Sequence, residues 1–399
     1  MDGTDIVRAG ATGRLFCGVY AAPTLGTFVR SMSEDNDRQW STVSSDFVAG
    51  LAAHAPVLTR ARRGSACSGP GRDLLMLDVD DTVLPVRSLR KEQVGYTYRR
   101  CQGLSVQLVT ASRAGSRPVI LGQQLRAGTA SGKPGGAAGL VADALAVATA
   151  AFAVDPTAIV LRGDSAYYSA ELVAAVHAVG GYVSVGIKKF VNVTALIDGI
   201  DPDRWEGIDY PGAVWDRDAR RWESDAEVAE VPFVGFSSNS RPASDQVPGR
   251  LIIRRVKITE PGTLMPVYRH HAFFTTLPDS YSTVEADRIH RGHAIIEQVN
   301  ADLKGSTLAH LPTTSFAGNS AWVHLAAMAY NLLHAAAALT TSLVNCTSAS
   351  IRYKLVNVAA RLTRSGRHLT LHLPARWPWA TARTELSTAL RSPPAVPFA

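Results

Sequence analysis

The chain has 399 residues, a formal net charge of +7, 46% hydrophobic residues and 19% charged ones. That balance excludes a largely disordered chain, and the length allows roughly two or three structural units around a sizeable core. Four scattered cysteines (Cys17, Cys67, Cys101, Cys346) contain no CxxC pair, which argues against a disulfide scaffold or a cysteine zinc site.

The N-terminus opens with Met1-Asp2 and shows no basic-then-apolar leader, so it reads as a cytoplasmic protein. Residues 23–60 read as helical from Leu25, Phe28, Val29, Val43, Phe47, Val48 and Leu51. A linker rich in Arg, Gly and Ser follows at 60–72. The apolar run Leu74 to Val79 is then expected to form a strand ending in carboxylates at Asp78, Asp80 and Asp81. Strands at 104–110 and 118–125 are close enough to it for an antiparallel meander. An alanine-rich helix (139–154), a strand (158–161), a helix (169–179) and a strand (182–187) then alternate as parallel crossovers require.

From 190 to 280 tryptophans and hairpin signals predict a β-rich insertion, with strands near 231–236, 251–258 and 267–275. Ser282-x-x-Glu285 fits a capping box opening a helix that runs to about Lys304. Asn319 or Ser320 is expected to cap an apolar helix reaching Val344. His324, Asn331 and His334 interrupt its apolar stretch, which suits a buried helix and no membrane span.

The 41 basic residues include 7 lysines and therefore 34 arginines. Codon bias alone accounts for an arginine excess, whereas polyanion binding would make it patchy. It is patchy: residues 85–133 carry nine basic residues and one acidic, and residues 351–399 carry eight and one. The first patch contains Arg99, Arg100 and Arg126, which are candidate DNA contacts.

Three acids stand out. Asp80 and Asp164 each follow an apolar strand, where open α/β sheets place ligands, although either alone would serve as a turn or helix cap. On the helix from Ser282, His290, His293, Glu297, Asn300 and Lys304 share one stripe at about 100° per residue. The neighbouring Ile295 and Ile296 place Glu297 at the margin of a buried surface. Two aspartates and one glutamate are able to hold two Mg²⁺ or Mn²⁺ ions for in-line phosphoryl transfer, with the basic patches on the phosphate backbone.

These residues resemble a family. The segments LDVDDTV (77–83), GYTYRRCQGL (95–104), LRGDSAYYSAELV (161–173) and HRGHAIIEQVNADLKGSTLAHLP (290–312) are similar to DDE transposases of bacterial insertion sequences, the 1380 group in its actinobacterial form. The resemblance implies an α/β fold: a ribonuclease-H-like catalytic core of three antiparallel strands and then alternating helices and strands, a β-rich insertion, and helical N- and C-terminal parts. It divides the chain into a helical DNA-binding remnant and linker (1–70), first core part (71–189), insertion (190–280), second core part (281–345) and basic C-terminal segment (346–399). It makes Asp80, Asp164 and Glu297 the catalytic and metal-binding acids. It sets His290 and His293 where relatives carry Tyr and Arg, and Lys304 where they carry Lys, all three as DNA contacts. It implies double-stranded DNA (terminal inverted repeats and target) as partner, a homodimer on DNA, no membrane, and a copy that lacks an upstream helical segment. Trp205, Trp215 and Trp222 are candidates for stacking on an extruded base, against ordinary packing within the insertion.

Two rivals remain at this point. Asp78-x-Asp80-x-Thr82 fits a haloacid-dehalogenase-like phosphatase with Asp78 as nucleophile and Asp80 as acid/base, but Tyr168 stands where a second acid belongs. A transposase remnant that binds DNA without catalysis is the other. A mononuclear metal site on His290, His293 and Glu297 has no supporting spacing signature.

Overall fold

The computed structural model describes residues 8, 13, 20–58, 73–132, 135–216, 221–237, 242–258 and 267–391, so the linker at 60–72 lies outside it. The first helical stretch divides into α1 (Ala22–Arg30) and α2 (Asp37–His54), with a 3-10 turn at Glu34–Asn36 between them. Strands β1 (Leu75–Pro85), β2 (Gly95–Tyr96), β3 (Gln102–Ser112) and β4 (Val119–Arg126) follow, with β1 and β4 both antiparallel to β3. Then come α3 (Ala137–Phe152), β5 (Ile159–Gly163), α4 (Ala170–His177) and β6 (Tyr182–Gly186). Here β5 is parallel to β1 and β6 is parallel to β5, giving the order β4-β3-β1-β5-β6.

After α5 (Val191–Asp198) the chain forms β7 (Glu206–Gly207), the hairpin β8 (Val214–Asp216) and β9 (Arg221–Glu223), β10 (Ala226–Gly235), β11 (Val247–Ile258) and β12 (Val267–Thr275). These strands do not build a sheet of their own. β12 pairs antiparallel with β6, and the ladder continues through β11 and β10 to β7 in one ten-stranded sheet. The β8–β9 hairpin pairs apart from it.

Two further departures bear on the site. β1 is 11 residues long, so Asp78 and Asp80 lie inside a strand instead of at its end. The reason is unequal pairing: β3 stays bonded to β1 as far as Pro85, whereas β5 stops opposite Val79. The helix expected from Ser282 to Lys304 is broken into α6 (Thr283–Arg291) and α7 (Ile295–Lys304) by a 3-10 turn at Gly292–Ala294. Its capping box is present, Ser282 and Glu285 each bonding the other's backbone N–H.

Period-two alternation gives the sheet two dry faces. Leu75, Leu77 and Val79 of β1 pack with Val141 and Leu145 of α3 and Leu172 and Val176 of α4. On the opposite face Leu84, Leu104, Val106 and Leu108 lie against Ile296, Val299 and Leu303 of α7 and against α8 (Phe316–Ala338). Ser315 caps α8, not Asn319 or Ser320, and the helix ends at Ala338 instead of Val344. Buried Asn319 instead bonds both backbone groups of Thr313 and holds the loop before the cap. The chain closes with α9 (Ser348–Ile351), the hairpin β13 (Arg361–Ser365) and β14 (His368–His372), and α10 (Ala380–Arg391). No helix among the described residues is long and apolar enough to cross a membrane.

The three polar interruptions of α8 are its attachments. His324 Nδ1 meets Ser44 of α2 at 3.0 Å and Gln123 of β4 at 2.6 Å. His334 lies 3.3 Å from both Asp302 and Ser348. Asn331 accepts from the Ile120 N–H (2.9 Å) and donates to the Ile120 carbonyl (2.8 Å), where the β3–β4 register slips by a bulge. Asn331→Ala leaves both Ile120 groups buried and unbonded. We expect a loss of roughly 2 kcal/mol, read as a lower denaturant midpoint at unchanged slope. A midpoint equal to wild type would show that the bulge does not depend on Asn331.

Candidate active site

Asp80 and Asp164 are brought together by strand pairing. Val79 is opposite Gly163, the last residue of β5, so Asp80 and Asp164 are the next residues along two parallel neighbours. At this point β5 leaves the sheet and β1 continues, which opens one side of Asp80. Asp164 is exposed and accepts the Ala166 N–H at 2.8 Å, so it also caps the turn Ser165–Tyr167. Gly186 of β6 lets this turn press against the sheet, since a Cβ there would stand 2.9 Å from the Ser165 nitrogen.

Alternation sends Asp78 to the same face as Asp80, under α6 and α7. Asp78 is completely buried. Its carboxylate takes a two-pronged bond from Arg162 (Nε 2.8 Å, Nη2 2.7 Å) and a third from His293 Nδ1 at 2.9 Å. Arg162 also donates to the Ile289 carbonyl at 2.7 Å, an oxygen at the end of α6. Gly292 makes room for that guanidinium: a Cβ would lie 2.4 Å from Nη1. These contacts explain the helix break, because the arginine claims a carbonyl that the next turn would have used. They also remove Asp78 as a nucleophile, since both of its oxygens are bound and dry. The phosphatase reading fails there.

Beyond the break, α7 directs Asn300 to Asp80, with Nδ2 donating to Oδ2 at 2.7 Å. Glu297 is exposed one turn earlier. Burial raises the proton affinity of Asp80 most; the charges of Asp164 and Glu297 add to it, against His293 and an Asp81 backbone bond, and its pKa is pushed up to about 6. The charges of Asp164 and Glu297 therefore both bear on Asp80. They are not closed into a cage, since no group of three His, Cys, Asp or Glu side chains among the described residues is gathered tightly enough to hold a metal ion.

Cations stand around them. Burial lowers the proton affinity of Lys304; Arg99 adds to this, while Asp80 and Glu297 oppose it. Arg99 stacks over Tyr98 (5.8 Å) in an exposed turn that ends at Arg100, whose backbone is left-handed (φ 57°). Arg126 is different: it is buried 3.9 Å from Asp81, whose carboxylate also accepts the Gly132 N–H at 2.6 Å.

The remaining candidates are dispersed. His290 lies flat on Phe273 (centroids 4.0 Å apart) and bonds Ser184 at 3.0 Å. Burial pushes its pKa down to about 3, so it is a neutral packing residue at physiological pH. His290 and His293 use their Nδ1 atoms on different partners, and the broken helix separates them, so no His290–His293–Glu297 metal site forms. Trp205 packs into the insertion with Arg255 over its ring at 4.1 Å. Trp215 and Trp222 are register partners in the β8–β9 hairpin; their side chains lie outside what the structure describes.

One family description, transposase DDE domain group 1, matches residues 21–395. The chain belongs to this family. It is a DNA-cleaving and strand-transferring enzyme of DNA transposition and recombination, and DNA is its substrate. The comparison with curated proteins gives no match. Arg162 and Asn300, which bond Asp78 and Asp80, have no role assigned from the sequence of this transposase. Asn300 had a signal, three residues after Glu297 on the same stripe; Arg162 had none beyond adjoining the Gly163-Asp164 turn.

Removing Asp78 strands a buried guanidinium. Asp78→Ala is expected to cost roughly 3–5 kcal/mol of unfolding free energy, and wild-type stability would refute the anchor. For Asp80, the pKa is 3.8 unperturbed and about 6 in the fold. The folded state then holds more protons between those values, so this group's contribution is fullest below pH 3.8 and is lost as pH rises towards 6. In EDTA, the melting temperature of Asp80→Asn relative to wild type should climb across that window. A gap independent of pH would assign Asp80 an ordinary pKa.

Proposed function

We propose that this transposase performs metal-dependent strand cleavage and strand transfer at insertion-sequence ends of the 1380 group, with Asp80, Asp164 and Glu297 as its acids on a ribonuclease-H-like core. The observation that carries the reading is the meeting of three charges: Asp164 and Glu297, from separate elements, both act on the carboxylate of Asp80. The order β4-β3-β1-β5-β6, with three antiparallel strands followed by two parallel ones, supports the core assignment.

The donor set fits Mg²⁺ or Mn²⁺. All three side chains offer hard oxygens, and the side-chain hydrogen bond to Asp80 comes from the neutral amide of Asn300, so among the described residues no cation bonds that carboxylate directly. Asp80, Asp164 and Glu297 would hold two such ions, whose chemistry when bound would be activation of a water or 3′-hydroxyl and neutralisation of the departing oxygen. The chain's own residues do the rest. Asn300 fixes the orientation of Asp80. The Asp78–Arg162 pair holds the helix break from which α7 presents Glu297. Arg99, Arg100 and Lys304 offer positive charge to the phosphates beside the cut.

Labelled DNA carrying the element's ends tests this. Asp80→Asn, Asp164→Asn and Glu297→Gln should each lower Mg²⁺- or Mn²⁺-dependent nicking by at least about 100-fold, a loss typical of a main electrostatic group. Mn²⁺ should also raise the melting temperature of wild type more than that of Asp80→Asn. Equal nicking by the wild type and the three variants would sink the assignment.

A further inference from the structure

On the Asp164 side of the site the sheet carries a cleft of about 390 Å³, lined by Asp164, Lys188, Lys189, Arg254, His270 and His271 among others. Its charge is uneven. Arg254 is paired at 2.7 Å with Asp287, which Arg291 shares at 2.8 Å. Lys188 and Lys189, both exposed directly after β6, have no ion pair or side-chain hydrogen bond among the described residues. The local field is positive: after burial, Lys189 and Arg255 depress the proton affinity of His270, and Arg254, Arg269 and Lys189 that of His271.

An exposed aromatic adjoins the two lysines. Phe190 donates its N–H to the Lys188 carbonyl at 2.8 Å, a tight turn that sets it at the N-terminal boundary of α5. It is 55% exposed, and Val191 beside it is 89% exposed. Trp205, one of the three tryptophans offered by the sequence for base stacking, is already covered by Arg255. An exposed ring that follows directly in the chain on two unpaired lysines, themselves lining the cleft with Asp164, matches the needs of a nucleic-acid strand whose bases are unstacked: charge for the backbone, an apolar plane for a base. Paired duplex offers no such base face; a strand opened at the cut does.

We propose that Lys188, Lys189 and Phe190 grip the DNA strand leaving the Asp164 side of the site, with the ammonium groups on phosphates and the Phe190 ring against an unpaired base. This rests on the active-site reading above, and the two are tested separately.

The experiment is fluorescence anisotropy of the full chain in EDTA, with end-containing DNA that is fully paired or unpaired beside the cut and carries 2-aminopurine at the first unpaired position. Lys188→Ala/Lys189→Ala should weaken binding of the unpaired form roughly tenfold and reduce the salt slope by about 1.4, two single-strand phosphate contacts. Arginine at both positions should restore affinity and slope. Phe190→Ala should weaken binding roughly tenfold on unpaired DNA alone and abolish the 2-aminopurine signal change, while Phe190→Trp keeps both. An unchanged slope in the double alanine variant, or equal loss on paired and unpaired DNA for Phe190→Ala, overturns the grip. Either result leaves the acid assignment standing if Asp80→Asn and Asp164→Asn stay inactive in Mg²⁺.

Discussion

The buried pairing of Arg162 with Asp78 is the constraint from which the site follows. A carboxylate with no exposed surface inside a central strand is tolerable only when its oxygens are bonded and its charge is met. Arg162 does both from the parallel neighbour, and its remaining nitrogen takes the carbonyl of Ile289. One side chain thereby joins β1, β5 and the end of α6. The helix stops there, turns through Gly292 and restarts as α7, and its new direction brings Asn300 onto Asp80. His293, in the turn itself, bonds the same Asp78 oxygen that takes the Arg162 Nε, so the break is tied to that carboxylate twice.

A second constraint acts through strand lengths. β1 outruns β5, and at the step between them Asp80 loses its parallel neighbour just where Asp164 begins its turn. A carboxylate there is buried by the sheet on one side and open on the other. That intermediate environment accounts for an acid whose proton affinity is raised without the group being sealed off. The exposed Asp164 and Glu297 add like charge to its surroundings, which is tolerable near solvent and costly deeper in.

Local pattern made much of this legible. The apolar run into Asp78 and Asp80, the strand before Asp164, the capping box at Ser282 and the buried character of the helix around His324, Asn331 and His334 all rest on short-range periodicity. What escaped was tertiary in origin. The break at Gly292 depends on an arginine 130 residues away in the chain, and no helical propensity encodes it. The length of β1 depends on which neighbours continue beside it. The merging of the insertion strands into the core sheet depends on β6 and β12 finding each other, for which alternation within either strand carries no information. His290 was misleading for a related reason: on a helical wheel it sits with Glu297, but the bend turns it onto Phe273.

The continuity of the sheet also orders events in time. Two acids lie before the insertion and the third lies after it. As the chain emerges from its N-terminus, Asp80 and Asp164 meet as soon as β1 and β5 pair, whereas Glu297 is made only after seven further strands. Pairing across such separations is slow to form, because loop closure precedes the contacts that reward it. An unfinished chain therefore carries Asp80 and Asp164 side by side before Glu297 exists. The surroundings of Asp80 are therefore complete only once the last long-range pairings of the sheet have closed.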